Sequence, residues 1–377
     1  MHIEPIRAAV IGCGAISDAY LGNLTKRFTC IHAVACADLD TNRAQTQAER
    51  YGITARATDA ILDDPNIDMI VNLTPPAAHY SVIKQALEHG KHVFTEKMLA
   101  VKLEEGRELV QLANERNLRL GVAPDMFLTG GIQTSRYIVD HGLIGDICSA
   151  NVSVNRNYGI FGDILPFLDR PGGSMPFDYG CYHMTALASI MGLATRVSAF
   201  TTTHAPSRTR MRVTSPLFDE RVELTEPDVV PAVVEYASGA LATINFTGCS
   251  NVDEDPILDI YGSEGILRMG DPNVAGATVR LKKPLQEEIV FPFTHGFLDE
   301  SRGVGAAEMA WSIKAGRPHR ASKEMGFHVF ELIHGMMISA TSGHPYKMTS
   351  TFERPTALPS GYVPRGFWGP TEESALV

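Results

Sequence analysis

Four short clusters each stand at the end of an apolar run. Their residue types suit one task, which is to hold a phosphorylated, hydroxyl-rich ligand beside a charged group. Gly12-Cys13-Gly14 closes the run Ala8–Ile11, and Asp38 follows Ile31–Ala37. Thr74-Pro75-Pro76 follows Asp68–Leu73, and Glu96-Lys97 ends Lys91–Lys97. Gly12 permits a tight strand-to-helix turn. Gly14 lets the backbone approach a pyrophosphate, which then sits at a helix N-terminus where free N–H groups and the helix dipole favour negative charge. Ala15 and Ile16 open that helix. Asp38 lies about as far on as the acid that accepts hydrogen bonds from ribose hydroxyls in dinucleotide-binding folds. Ser17 holds the place of the third fingerprint glycine.

The elements that position these clusters alternate along the chain. Helices are expected over Ser17–Arg27, Asn42–Tyr51, His79–His89 and Lys102–Asn117. Asp40 or Thr41 can cap the second, and Gly52 ends it. Further strands are expected at Thr54–Thr58 and Leu118–Ala123, and one or two helical turns at Asp59–Asp64. The near-continuous apolar Asp68–Leu73 fits a parallel strand buried on both faces. Alternating strands and helices predict an α/β fold, a doubly wound parallel Rossmann sheet with right-handed crossovers. Ligands of such sheets bind beyond the carboxyl ends of the strands, where all four clusters fall. Each cluster has a plainer explanation taken alone. Asp38 could cap a helix, Thr-Pro-Pro could stop a strand, and Glu96-Lys97 could be a solvated pair. One site drawing on four strand ends favours the joint functional reading. Asp38 would repel a 2′-phosphate, Leu39 and Asp40 offer no cation, and Arg43 is assigned to a helix face. NAD is therefore expected over NADP.

Pro124–Gly131 reads as a crossover, which divides the chain into a dinucleotide-binding domain, 1–124, and a substrate and oligomerisation domain, 125–377. In the second, helices are expected over Ile132–His141, Asp178–Met191, Ser301–Lys314 and Ser322–Ser339. Strands are expected over Asp146–Asn155, Arg196–His204, Ala232–Tyr236, Ala240–Thr247, Leu258–Tyr261 and Ile266–Met269, with two more at Thr278–Leu281 and Glu288–Phe291. Strands in succession without helices predict an antiparallel sheet. The long segment Arg156–Pro176, rich in Gly and Pro, is a functional loop or lid hinged at Gly172-Gly173, or else a surface excursion. The tail after Gly343 is expected to wrap the surface.

These pieces resemble the Gfo/Idh/MocA oxidoreductases. The resemblance rests on Gly12-Cys13-Gly14, Asp38, Thr74-Pro75-Pro76 with His79, and Glu96-Lys97 in order. Asp178-Tyr179-Gly180-Cys181-Tyr182 matches the family's D-x-G-x-H/Y element, and Gly262-Ser263-Glu264-Gly265 its late G-x-x-G turn. Met98 departs from the family's usual Pro after the Glu-Lys pair. The resemblance implies a C-terminal α/β domain with an open, mainly antiparallel sheet, one face covering the active site and the other meeting a partner subunit. A homo-oligomer, dimer or tetramer, follows. It also implies that Gly12, Gly14, Ala15, Ile16, Asp38, Thr74, Pro75, Pro76, His79, Glu96 and Lys97 hold the cofactor.

The family's acid/base falls at Tyr182, where many members carry His. On a helix, Asp178 and Tyr182 at i and i+4 share a face, and His183 is rotated by roughly 100°. A free tyrosine titrates near pH ~10, and a nearby ammonium, Lys97, would lower that value. His183 is intrinsically better matched to neutral pH but is expected as a core histidine, unless the helix starts late. Asp178 would orient the base or the substrate, cap the helix, or both. The activity implied is NAD-dependent hydride transfer to or from a secondary alcohol of a sugar, sugar derivative or cyclitol. Two alternatives stand beside it. One is a redox-neutral enzyme that recycles NAD, for epimerisation or glycoside cleavage. The other is a non-catalytic NAD(H) sensor.

The whole chain sets bounds on these readings. Its 377 residues suit two domains. A net charge of −10 argues against nucleic acid as a partner. No apolar stretch approaches a membrane span of about 20 residues, and Met1 leads almost directly into the first strand, so a cytoplasmic protein is expected. The six cysteines are scattered without a C-x-x-C pair, so no metal site is expected.

Overall fold

The computed structural model describes residues 4–161 and 165–360. Residues 162–164 of the expected lid and 361–377 of the tail lie outside the described residues. The first half runs β1 (Ile6–Ile11), α1 (Ser17–Lys26), β2 (Ile31–Ala37), α2 (Thr41–Tyr51), β3 (Thr54–Ala55), α3 (Thr58–Leu62), β4 (Met69–Asn72), α4 (Pro76–Glu88), β5 (His92–Thr95), α5 (Leu103–Glu115) and β6 (Leu120–Val122). The six strands pair in the order β3-β2-β1-β4-β5-β6, all parallel. This is the doubly wound sheet that the alternation predicts. Strand β4 is buried along its whole length, as its unbroken apolar run requires. Asp40 caps α2 by accepting from the N–H groups of Asn42 and Arg43, and left-handed Gly52 ends it.

The second half begins with α6 (Gly130–Asp140), β7 (Ile147–Asn155), α7 (Cys181–Met191) and β8 (Ala194–Ala199). A ribbon of β9 (Ser207–Thr209) and β10 (Arg221–Glu223) follows. Then come β11 (Val229–Tyr236), β12 (Leu241–Thr247), β13 (Ile257–Gly262), β14 (Ile266–Met269), β15 (Val279–Lys282) and β16 (Ile289–Val290). Helices α8 (Val304–Ala315) and α9 (Lys323–Ser342) and the short β17 (Tyr346–Lys347) complete it. The large sheet runs β16-β15-β14-β13-β7-β12-β11-β8-β17. It is antiparallel except where β7 lies parallel to β12. Val152, Val154, Val234, Ile244, Phe246, Leu258 and Ile260 make its buried side, where α6 and α9 pack and His183 of α7 meets Phe246.

Three expectations are corrected. The helical segment foreseen over Asp178–Met191 is not α throughout: Pro176–Gly180 is wound as a π-helix and the α-helix proper runs from Cys181. Gly180 lies so close to Phe246 that a Cβ there would sit 2.7 Å from the ring. The wider turn thus seats this backbone directly on the sheet. The strand foreseen over Arg196–His204 ends at Ala199. The β9–β10 ribbon, not foreseen at all, occupies part of the segment that follows.

The two halves interlock. Helix α8 lies against β2, β5 and β6 of the first sheet. Val122 N–H donates to Ala321 O at 3.0 Å.

Candidate active site

Strands β2, β1, β4 and β5 are neighbours in the sheet, so their carboxyl ends lie side by side. Gly12 has φ +103°, and a Cβ there would stand 2.6 Å from the Leu73 carbonyl carbon. The turn after β1 therefore rests on the end of β4 only because residue 12 is glycine. At Gly14 an added Cβ would meet nothing within 4 Å, so the turn has open space on that side. Ala15 is exposed and Ile16 half-buried. Ser17 is fully buried. Its hydroxyl donates to Gly14 O at 2.7 Å and accepts from Gln47 Nε2 at 3.1 Å. Serine here ties the turn to α2, work that a third glycine could not do.

Asp38 is not a helix cap, since Asp40 fills that place. One Asp38 oxygen accepts from Cys13 N–H at 2.7 Å and the other from Asp40 N–H at 2.8 Å. A carboxylate offers about four lone-pair sites, which leaves capacity on both oxygens for ribose hydroxyls. Arg43 turns to Asp40, with Nε 3.3 Å from its carboxylate. The open turn at Gly14 and the spare acceptor capacity of Asp38 fit a dinucleotide.

Thr74 donates its hydroxyl to Asn72 Oδ1 at 2.7 Å, Pro75 is exposed, and Pro76 opens α4. His79 is fully buried. Its Nδ1 lies 2.5 Å from Met98 O and its Nε2 2.6 Å from Thr74 O. Burial lowers its pKa, and the two carbonyls work against that. A neutral ring has one N–H to donate, to one of these carbonyls, and His79 is wedged between the Thr74 loop and the loop after Lys97. Glu96 is likewise built in. It accepts from the Tyr20 hydroxyl at 2.7 Å and from Lys97 N–H at 3.0 Å.

Lys97 and Asp178 meet across the two halves. Lys97 Nζ donates to Asp178 Oδ1 at 2.5 Å and to Asp178 O at 2.8 Å. Asp178 does not cap α7, which has no side-chain cap. Its Oδ2 accepts from the Tyr158 hydroxyl at 3.1 Å. Lys97 Nζ also stands 5.4 Å from the centre of the Tyr182 ring. Burial opposes the Lys97 charge, but Asp178 and Tyr182 outweigh it, so its pKa is raised.

The Tyr182 phenol does not follow the expected direction. Burial raises its pKa, and this exceeds the lowering by Lys97 and Arg302. An ammonium over the ring face favours the phenolate less than one on the hydroxyl would, and removal from water penalises the charged form. The phenol is therefore neutral at rest. Arg302 stands beside Tyr182, and its Nη2 donates to Asn273 Oδ1 at 2.6 Å. Asp125 sets the loop that carries it by accepting from the N–H groups of Gly303 and Gly305, both at 2.9 Å. Burial pushes the Asp125 carboxyl up to about 7.

His183 faces the sheet. Its ring lies 5.4 Å from Tyr179 and 6.4 Å from Phe246. Burial pushes its pKa down to about 4. Its Nε2 is buried and meets no hydrogen-bond partner among the described residues.

Sequence reading missed Tyr158, Arg302 and Asp125. Tyr158 sits in an aperiodic loop, and Arg302 and Asp125 come from distant segments with no motif to mark them. Among the described residues no group of three or more His, Cys, Asp or Glu could hold a metal. No described helix is long and apolar enough to cross a membrane.

This placement separates the two candidate bases. Tyr182→Phe should lower kcat for alcohol oxidation by about 10²-fold or more, and His183→Asn by less than about tenfold. With Tyr182 as the base, its raised pKa predicts wild-type oxidation that climbs from pH ~7 through ~10 without a plateau, and Tyr182→Phe should flatten that climb. Steady-state kinetics across pH checks both. The opposite order of effects would assign the proton to His183.

Residues 6–123 match the oxidoreductase family described as Gfo/Idh/MocA, NAD-binding Rossmann fold, and residues 132–268 match its C-terminal domain. D-xylose dehydrogenase of Paenarthrobacter nicotinovorans is 31% identical over 305 residues, covering 72% of this chain and 76% of that protein. D-glucoside 3-dehydrogenase of Escherichia coli strain K12 is 24% identical over 359 residues, covering 91% and 97%. Levoglucosan dehydrogenase in complex with NADH and L-sorbose shares the fold, with a TM-score of 0.78 at 18% identity over 92% of this chain and all of that one. Matched in both halves and to a relative across most of its length, the chain belongs to the Gfo/Idh/MocA family of oxidoreductases.

Proposed function

We propose that the protein is an NAD-dependent dehydrogenase that interconverts a secondary alcohol and a ketone on a sugar, sugar derivative or cyclitol. The observation that carries this is the Lys97 ammonium. Two of its three N–H bonds go to Asp178, and the third is available to an oxygen placed beside Tyr182. The sugar class is supported by the activities of the relatives above. Gly12, Gly14, Ala15 and Ile16 would hold the pyrophosphate, Asp38 the adenosine ribose, and the Thr74–Pro76 and Glu96–Lys97 loops the nicotinamide end. When bound, NAD accepts or gives the hydride.

The rest falls to the chain. Substrate binds against the half that follows residue 124. Tyr182 donates its proton to the carbonyl oxygen in reduction, and takes it back in oxidation. Lys97 donates to the same oxygen and stabilises the negative charge that develops there. That charge is larger in the transition state than in the ground state, so the bond acts on kcat more than on binding. Asp178 holds the ammonium in place. Arg302 restrains the rise in the Tyr182 pKa.

Lys97→Met should leave NAD affinity nearly intact while kcat falls on the order of 10²–10³. Lys97→Arg should rescue it poorly, because a planar guanidinium does not reproduce the geometry of an ammonium. NAD titration by fluorescence paired with a sugar and polyol screen at ~340 nm, where the reduced nicotinamide absorbs, provides the test. Near-normal kcat in Lys97→Met would remove Lys97 from the chemistry. Product without NADH accumulation would instead favour the redox-neutral reading.

NAD is the proposed cofactor because Asp38 repels a 2′-phosphate and Arg43 is paired to Asp40. Asp38→Ala should relax discrimination against NADP. Faster wild-type turnover with NADP at equal concentration would overturn this assignment.

We further propose a homo-oligomer formed on the outer sheet face, where Val233, Leu241 and Ile257 are each 44–47% exposed. Light scattering at micromolar concentration should return a multiple of the monomer mass. A monomer would remove this proposal.

A further inference from the structure

Asp178 engages Lys97 through Oδ1 and its backbone carbonyl. These bonds do not fix the plane of the carboxylate, since the terminal torsion of an Asp side chain is broad. Oδ2 is held by the Tyr158 hydroxyl at 3.1 Å. The Asp178 side chain is only 10% exposed, so water is a poor substitute for that donor.

Tyr158 is itself immobilised. It is 3% exposed, and the Arg208 guanidinium on β9 stands 5.4 Å from its ring centre. Next to it, Gly159 O accepts from Met211 N–H at 2.9 Å, in the segment between the two ribbon strands. On its other side, Asn157 N–H donates to Asp253 Oδ1 at 2.5 Å. Tyr158 is thus gripped by the ribbon and by the loop before β13.

We propose that Tyr158 is a positioning residue: its hydroxyl fixes the Asp178 carboxylate and, through it, the direction of the Lys97 ammonium. Burial, reinforced by the adjacent Asp178 charge, keeps the phenol protonated, as a permanent donor must be. The proposal rests on the catalytic reading of Lys97 given above. It also gives the ribbon a function, since the ribbon fixes the residue that aims the catalytic pair.

Tyr158→Phe retains the ring and the Arg208 contact and removes only the donor. A misaimed ammonium lowers kcat, by about tenfold, and leaves the KM for NAD within about twofold. A double-mutant cycle shows whether the effect runs through Asp178. In an Asp178→Asn background, Tyr158→Phe should change kcat by less than about twofold. A tenfold effect that survives in that background overturns the proposal.

A second readout needs no substrate. The 15N resonance of the Lys97 ammonium, identified by its loss in Lys97→Met, should show solvent exchange about fivefold faster in Tyr158→Phe. Unchanged exchange would show that Tyr158 does not hold the pair, and overturns the proposal. Wild-type kcat in both Lys97→Met and Asp178→Asn would sink the catalytic reading instead, while the exchange measurement still decides the role of Tyr158.

Discussion

The ion pair between Lys97 and Asp178 is the point on which the two halves of the molecule depend. One charge lies two residues beyond a strand of the parallel sheet, and the other lies in the π turn that rests on the mixed sheet. Taking two charges out of water costs several kcal/mol per ion, and their attraction repays this only when geometry and further hydrogen bonds are good. Such a pair is a weak source of stability. Its value here is position, because an ammonium with two of its donors committed has one direction left. The surroundings serve that geometry. Glu96 fixes the lysine backbone, His79 is wedged against the loop that follows, and the wide turn at Pro176–Gly180 brings the Asp178 carbonyl and carboxylate to the same Nζ.

The site also shows how one environment can set two groups in opposite ways. Lys97 keeps its charge because a carboxylate lies against it. Tyr182 keeps its proton because it is removed from water and its nearest ammonium lies over the ring face. A charged donor beside a neutral acid suits the protonation of a carbonyl oxygen, and the same arrangement runs backward when base removes the phenolic proton.

Much of this was legible in the sequence because it is local. Glycine at 12, a carboxylate at 38, proline at 75 and 76 and the Glu-Lys pair each mark a strand end, and strand ends are fixed by short apolar runs. A helical segment carrying Asp178 and Tyr182 was also legible, though Asp178 lies in its π-wound start and bonds Lys97 and Tyr158. An inserted residue in a turn leaves no periodic trace, so Pro176–Gly180 reads as ordinary helix. The β9–β10 ribbon has strands of three residues, too short to alternate visibly. Arg302 reaches Tyr182 from a loop more than a hundred residues away, and only the folded chain places it there. The Tyr182 shift was misjudged for a similar reason: sequence supplied the nearby cation, but burial, the larger effect, is a property of the fold.

Helix α8 carries a consequence for how the molecule is assembled. It packs on the first sheet, where Gly305 brings its backbone against Phe94 and the Cys30 thiol donates to Ala307 O at 3.2 Å. Every strand of that sheet has been synthesised by residue 122, yet this cover for it arrives only with residues 304–315. During synthesis the early half must wait, with apolar surface uncovered, until nearly the whole chain has emerged. Contacts between segments so far apart in sequence are slow to form. The parallel sheet and helix α8 form one packed unit, and the late chain closes the sheet that the early chain began.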